Sequence, residues 1–473
     1  MPDTAAMDVS TFKKLRPVGH LERLSTARNP LGFYTNVVVA ATYTLPESYS
    51  LPLKDYIYKA CETQIAQHPI LSAIALDEDK YDAYFARLPE IDLDQCVSFQ
   101  ERKTPGPAED DEGDEELDEV LSAQHNSPFS APLPYWRLCV LTDPKDALRF
   151  IAIFVYHHAI GDGGSGPAFH RTFLRALTDA KSISASDVKT VIQSPDTPLL
   201  PNVEQIHPMP VSIFFVLSVW LKTYMNKFWK AKRDPGLWTG AKITRPLETN
   251  TKHLALSKRD TTALKDACRK NNTTITAAIQ SLVAGSLFAN LPETITKLKC
   301  DGAISSRRWL IGAAVTDDSL GVWVQDSSEL YQRSAFPMQG EFPWAEARRS
   351  KDNLHAILAS GGKNSRMYLL KYLGDYHNEL YLGKLGKDRE GSFETSNIGL
   401  FKVSGEEGGP RIGRMVFSQS GSVAGPAIEI SVVTGADGCL VLGVNWQKGV
   451  VEDELIGAAI GTVREALVGF HEK

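Results

Sequence analysis

The stretch that decides the fold runs Phe150-Ile151-Ala152-Ile153-Phe154-Val155-Tyr156-His157-His158-Ala159-Ile160-Gly161-Asp162-Gly163-Gly164-Ser165-Gly166. Residues 150–156 are apolar without a break, which suits a strand buried on both faces. Two histidines follow, then a glycine-rich turn, then helical spacing over residues 167–179. Successive strand residues face opposite ways, so His157 and His158 cannot both point into one cavity. Asp162 stands on glycines that let the chain fold back tightly. A neutral imidazole, with a reference pKa of about 6.5, can take a proton from a hydroxyl as its oxygen attacks a thioester. Such general-base help is worth about 10²–10⁴-fold in rate. The plainer alternative is a pair of satisfied interior histidines. Asp162 and the glycines favour chemistry, and His157 is read as the structural member.

Working outward, both flanks alternate strand and helix signals. Strands are expected at 36–45, 71–76 and 136–141, and helices at 53–67 and 167–179. Beyond a Pro-, Ser- and Lys-rich stretch at 182–243, strand signals recur at 254–256, 303–306, 320–324, 392–398, 414–418, 427–433 and 440–444. Helical periodicity covers 258–270, 274–288 and 452–473. This alternation indicates α/β architecture with mostly covered sheets. A chain of 473 residues exceeds one ordinary core, so two halves are expected.

The net charge of −6 lives in one place: residues 109–119 hold nine acids and no base, leaving 48 acids against 51 bases elsewhere. That run is read as a solvated insertion. No basic tract suits nucleic acid. The six cysteines show no metal-ligand or CxxC spacing, which fits a reduced, cytoplasmic setting. No apolar leader stands at residues 1–17. Residues 211–221 (VSIFFVLSVWL) are too short to span a bilayer, which takes roughly 20 apolar residues. A helix packed on the body is the preferred reading. The alternative is peripheral contact of 211–230 with a membrane or lipid droplet, since aromatics and lysines follow.

His157–Gly163 resembles the HHxxxDG motif of the chloramphenicol acetyltransferase, condensation-domain and plant BAHD superfamily. Residues 16–34 (RPVGHLERLSTARNPLGFY), 68–71 (HPIL), 134–138 (PYWRL), 305–309 (SSRRW) and 396–399 (SNIG) resemble the fungal and yeast alcohol acetyltransferases within it. The resemblance implies two chloramphenicol-acetyltransferase-like subdomains of mixed sheets with flanking helices, and an active-site tunnel at their interface. The halves are placed at 1–190 and 251–473, joined by 191–250. It implies acyl-CoA as co-substrate, an alcohol acceptor and ester formation by direct attack, with neither a metal nor a redox cofactor. His158 is the implied base. Asp162 turns away from it to pair with Arg307, or else Arg308. His157 and Gly163 support the loop, while Ser396 and Asn397 line the passage and donate to the oxyanion. The plant DFGWG motif is absent, and CoA-phosphate contacts are not assigned. A monomer is expected.

Three rival readings remain. Gly161–Gly166 also fits GxGxxG, the outline of a dinucleotide site in an oxidoreductase. Asp162 would sit where pyrophosphate belongs, and no second strand follows. No GxSxG elbow or cysteine signature supports a covalent acyl-enzyme. A same-fold protein that binds or converts an acyl or polyketide product without CoA-dependent transfer is the third.

Overall fold

The computed structural model describes residues 8–107, 112–228, 234–310, 312, 314–337, 341–403, 407–468 and 470–472. The chain opens with β1 (Lys13–Pro17), α1 (His20–Arg28), β2 (Val37–Thr44) and α2 (Leu53–Gln67). β3 (Ala73–Leu76) and β4 (Tyr84–Arg87) join β1 in a small sheet, ordered β1-β4-β3. β5 (Glu90–Asp92), α3 (Leu93–Cys96), β6 (Val97–Glu101) and α4 (Glu115–His125) lead to β7 (Trp136–Asp143) and β8 (Asp146–Tyr156). After the glycine loop comes α5 (Ser165–Asp179). β9 (Val191–Gln193) pairs back with β5, and α6 (Val203–Ile206) and α7 (Ile213–Phe228) follow. The rest runs β10 (Thr249–Leu256), α8 (Lys258–Lys270), α9 (Ile275–Asn290), β11 (Lys297–Ser305), β12 (Val324–Gln332), α10 (Trp344–Ala359), β13 (Phe393–Leu400), β14 (Arg411–Gln419), β15 (Ile428–Thr434), β16 (Leu440–Gln447) and α11 (Asp453–Leu467).

Two large mixed sheets carry the architecture. The first has the order β14-β2-β8-β7-β6. β8 lies at its centre, and residues 150–156 are buried throughout, as their unbroken apolar run requires. Rings from α5 lock that helix onto β8: Phe154 stacks on Phe169 at 3.8 Å, and Phe169 on Phe173 at 5.3 Å. The second sheet has the order β10-β16-β15-β13-β11-β12. Its Leu442, Val444, Ile428, Ile430 and Phe393 join side chains of α9 and α11 in a second core. β14 comes from the C-terminal half of the chain, yet it pairs with β2 in the first sheet, with Val416 opposite Ala40.

Four expectations change. Residues 112–119 are not a solvated insertion. Asp114 caps α4 by accepting from Leu117 N at 3.1 Å, and binds Arg102 at both oxygens (2.7 and 2.8 Å) with both side chains almost fully buried. Asp118 reaches His253 Nδ1 at 2.5 Å. The acids thus start and anchor a helix whose Leu117, Val120 and Leu121 enter the core. Residues 108–111 fall outside the described set. The last helix stops at Leu467 rather than running on to 473; a short turn, Phe470–Glu472, follows, and 469 and 473 lie outside the described residues. Residues 320–323 form a loop rather than a strand, because Trp323 N donates to Asp162 (2.9 Å) instead of to a ladder. Finally, α7 does not bury its apolar side: Phe214 is 80% and Ile213 64% exposed. Among the described residues, no helix is long and apolar enough to cross a membrane.

A buried polar chain ties the sheets together. His125 Nδ1 meets Asn36 Oδ1 at 2.7 Å, and Nε2 meets Ser418 Oγ at 2.7 Å, linking α4, β2 and β14. The Ser418 hydroxyl lies 3.1 Å from Asn445 Oδ1 on β16. Asn36 Nδ2 donates to Gln124 O, so its oxygen accepts and His125 Nδ1 carries the proton. Burial, and secondarily the Arg137 charge, press the His125 pKa down to about 3. The His125→Ala variant should lose roughly 2–5 kcal/mol at pH 7 by urea unfolding, from two broken buried hydrogen bonds and the cavity. The unfolded histidine takes up a proton as pH falls below about 6.5, while the folded one does not until about 3. The wild type alone therefore loses this contribution on acidification, and the stability gap between the proteins should narrow from pH 6.5 downward.

Candidate active site

At the end of β8 the two histidines part, as a strand demands. His157 turns into the body. Its Nδ1 accepts from Ala159 N (3.0 Å), which leaves the proton on Nε2, 3.7 Å from Glu78 Oε1. Its ring packs on Tyr135 at 4.7 Å. Burial, then the charges of Arg28 and His158, hold its pKa down near about 3, and burial lifts the Glu78 carboxyl to about 7. These contacts suit a fixed, neutral, structural ring.

His158 faces the other way and is only part-buried. Its ring makes no hydrogen bond with any other described residue; the one backbone group acting on it is its own carbonyl. Nδ1 is buried and unpartnered; Nε2 is not among the buried atoms. Tyr34 lies beside it, ring centroids 5.8 Å apart, and the Arg28 guanidinium sits over the Tyr34 ring at 3.7 Å. Burial first and Arg28 second depress the His158 pKa to about 4, against the opposing pull of its own carbonyl and Asp162. At neutral pH the ring is an uncharged base with one reachable nitrogen.

Asp162 is fully buried and does not orient His158. Both its oxygens take Arg307 Nη1 (2.9 and 2.8 Å), and it also accepts from Trp323 N (2.9 Å) and Ser165 N (3.2 Å). Arg307 Nη2 donates to Ser319 O at 3.1 Å. Arg308, the alternate partner, is exposed. The loop is therefore pinned to the second half through Arg307 and the 319–323 segment. Gly163 and Gly164 permit the approach. A Cβ on Gly163 would come 3.0 Å from Ile398 Cγ2 and 3.7 Å from Ser396 Oγ; one on Gly164 would lie 2.7 Å from Arg307 Nη1.

The 396–399 segment thus meets the histidine loop, but its two polar residues differ. Asn397 is spent locally: Nδ2 donates to Thr276 Oγ1 (2.9 Å) and Oδ1 accepts from Gly399 N (2.8 Å). Ser396 is buried as a residue, yet its hydroxyl has no hydrogen-bond partner among the described residues and is not among the buried unpartnered atoms. Ser396, rather than Asn397, has a group free to serve the site.

Sequence reasoning missed four residues of this neighbourhood: Arg28 and Tyr34, which act on or adjoin His158, and Glu394 and Glu429, which act on Tyr34. The first two lie inside the 16–34 stretch but carry no motif. Glu394 and Glu429 become neighbours only through the parallel pairing of β13 with β15. Among the described residues no three His, Cys, Asp or Glu side chains gather to hold a metal ion.

Residues 17–456 match the alcohol acetyltransferase family. The chain belongs to that family. Among the relatives of this alcohol acetyltransferase family member, a probable alcohol acetyltransferase, crmB, from Aspergillus fumigatus is 35% identical over 92% of this chain and 95% of its own. A second, FCK4 from Fusarium pseudograminearum, is 24% identical over 93% and 92%. The fold is that of the TRI3 trichothecene 15-O-acetyltransferase from Fusarium sporotrichioides, with a TM-score of 0.68, 15% identity and coverage of 96% and 94%. The first condensation domain of the CDA synthetase superposes with a TM-score of 0.62 at 15% identity, covering 98% and 97%.

Arg307→Ala would strand Asp162 as an unpaired buried charge. It should cost about 3–5 kcal/mol in chemical denaturation, the usual penalty for breaking a buried pair. Arg307→Lys keeps one charged nitrogen for Asp162 but loses the second arm that Nη2 extends to Ser319 O, so it should recover only part of that stability.

Proposed function

We propose that this alcohol acetyltransferase moves an acyl group from acyl-CoA to an alcohol by direct attack, with His158 as general base. The observation that carries the reading is the state of the His158 ring: neutral, part-exposed, and with Nε2 unclaimed, while its neighbour His157 is buried with Nδ1 bonded to Ala159 N and Nε2 turned toward Glu78. The acceptor hydroxyl gives its proton to Nε2 as its oxygen bonds to the thioester carbonyl carbon. The carbonyl electrons move to oxygen, where the Ser396 hydroxyl can donate. Collapse breaks the C–S bond, and the departing thiolate takes the proton from Nε2. Ester and free CoA leave, with the imidazole restored. Asp162 acts only through position: paired with Arg307, it fixes the loop from which His158 projects. The rival reading as a non-transferring relative has no such support, since nothing else occupies Nε2.

The same reading extends to location. Ile213, Phe214, Leu217, Trp220 and Leu221 are exposed, and their spacing places them on one side of α7. The sequence 211–233 holds five Lys or Arg and no acid. This helix suits the boundary of a membrane or lipid droplet carrying anionic lipid.

With acetyl-CoA and an alcohol panel, thiol release should fall about 10²–10⁴-fold in His158→Ala and about 10²–10³-fold in Ser396→Ala. Retention of near-wild-type rates by folded His158→Ala would remove the assignment. The pH profile of kcat/KM gives a separate check. Because the folded pKa of His158 is lowered, the base form is present at neutral pH and lost only as pH falls through about 4. The acidic limb should therefore lie well below pH 6. For α7, the Phe214→Asp/Leu217→Asp double variant should abolish co-flotation with phosphatidylserine-containing vesicles if the helix docks there.

A further inference from the structure

The sheet face turned toward His158 is built in an unusual way. One face of the second sheet buries apolar residues under helices. On the other, strand register lines up Asp301, Glu394, Glu429 and Asn445 across β11, β13, β15 and β16. Ser396, two residues beyond Glu394 and so on the same face, touches the histidine loop beside Gly163. Asp301 has Lys299 and Arg366 as partners, and Asn445 has Thr251 and Ser418. Glu394 and Glu429 have no hydrogen bond or ion pair with any described residue, although Glu429 is only 3% exposed. Facing them is Tyr34, 6% exposed, whose hydroxyl is buried without a partner, and Arg28, whose Nε is likewise buried and unpartnered.

Backbone contacts bring these groups together: Phe33 O accepts from Val423 N (2.9 Å) and Thr35 N donates to Ser420 Oγ (3.0 Å), which lays the Tyr34 segment along the chain leading into β15, with Arg28 over the Tyr34 ring and His158 beside it. Glu429 and Glu394 both raise the Tyr34 pKa, and the Arg28 charge acts on Tyr34, His158, Glu394 and Glu429 alike. Burial lifts the Glu394 carboxyl to about 7 and the Glu429 carboxyl well above its ordinary range, each raised further by neighbouring carboxylates. Buried polar groups left this way destabilise the fold unless something else satisfies them.

We infer that Glu394, Glu429, Tyr34 and Arg28 form the acceptor subsite, and that the acceptor is a multiply hydroxylated alcohol rather than a simple aliphatic one. The inference rests on the acyl-transfer reading above. Guanidinium N–H groups only donate, carboxylates accept, and a phenol or a protonated carboxyl does both. A polyol answers that mixture, because each hydroxyl both donates and accepts. An ammonium would satisfy the carboxylates but leave Arg28 unanswered and repelled. An alkyl chain would satisfy none of them. A site built to hydrogen-bond a hydroxyl rejects an analogue lacking it because its own groups are then left unpaired.

The test uses the full chain with acetyl-CoA and compares kcat/KM for sorbitol and myo-inositol with that for 1-butanol and ethanolamine. The wild type should favour a polyol at least tenfold. Glu394→Gln and Glu429→Gln should each shrink that ratio at least tenfold, chiefly through the acceptor KM, and Tyr34→Phe should shrink it about threefold. Preference for butanol or ethanolamine, an unchanged ratio in both Gln variants, or a loss falling on the acetyl-CoA KM would each overturn the proposal. Saturation-transfer NMR of sorbitol with the protein alone separates the two layers. Sorbitol binding that vanishes in the Gln variants supports the subsite even if no acceptor is acylated, a result that would instead sink the transferase reading. Absence of sorbitol and inositol binding to the folded wild type, together with no polyol turnover, sinks the subsite.

Discussion

A carboxylate and a guanidinium, sealed from water between the two halves, set the geometry of everything around them. Asp162 is fully buried and Arg307 nearly so, and two charges in that position are stable only because each meets the other and nearby backbone dipoles. The pair fixes more than a contact. It closes the glycine loop against 319–323, brings Gly163 onto Ile398, and commits Asp162 to a partner other than His158. A carboxylate bonded to the ring would raise its pKa; with Asp162 committed to Arg307, burial dominates and the ring is left neutral. The fold secures the loop with charge and keeps the charge away from the ring.

That separation continues through the interior. His125, His157 and His170 are buried and held neutral, each by a defined partner: Asn36 and Ser418, Ala159 N, and Tyr43 with Val39 O. His158 alone among these has no such partner. In a low-dielectric setting an unpartnered polar atom is expensive, and a ligand can complete those that border a binding site. The unsatisfied Nδ1 of His158, Tyr34 hydroxyl and Arg28 Nε belong to one neighbourhood.

The sequence carries some of this arrangement openly. The apolar run 150–156 reads as a strand because no half-exposed position interrupts it, and strand alternation separates His157 from His158 before any coordinates. Arg307 as the partner of Asp162 came through family resemblance, and geometry selects it over Arg308. Other features are silent for physical reasons. β14 alternates in a way that would suit either sheet, and its pairing with β2 spans most of the chain, so no local pattern announces it. The acids at 112–119 look solvated because charge masks the apolar positions between them. Asn397 invites a catalytic role by its place beside Gly399, yet its amide is spent closing the turn and reaching Thr276. Glu394 and Glu429 look like ordinary outward residues of alternating strands; only register reveals that outward, here, means inward to the other half.

The polar face of the second sheet is therefore the feature that stability alone does not explain. An inward-facing sheet surface would gain from apolar residues at 394 and 429, since burial disfavours the charged form of both carboxyls and neither finds a protein donor among the described residues. Keeping them, beside an orphan phenol and an uncompleted guanidinium, is a standing penalty against folding. Natural proteins concentrate such local violations at functional sites and offset them elsewhere. Here the offset lies close by, in the stacked rings of α5 on β8 and the close pair of Asp162 and Arg307. A rigid frame, held by stacked rings and a buried ion pair, surrounds a small region whose polar groups are incomplete, and that region is where His158 stands.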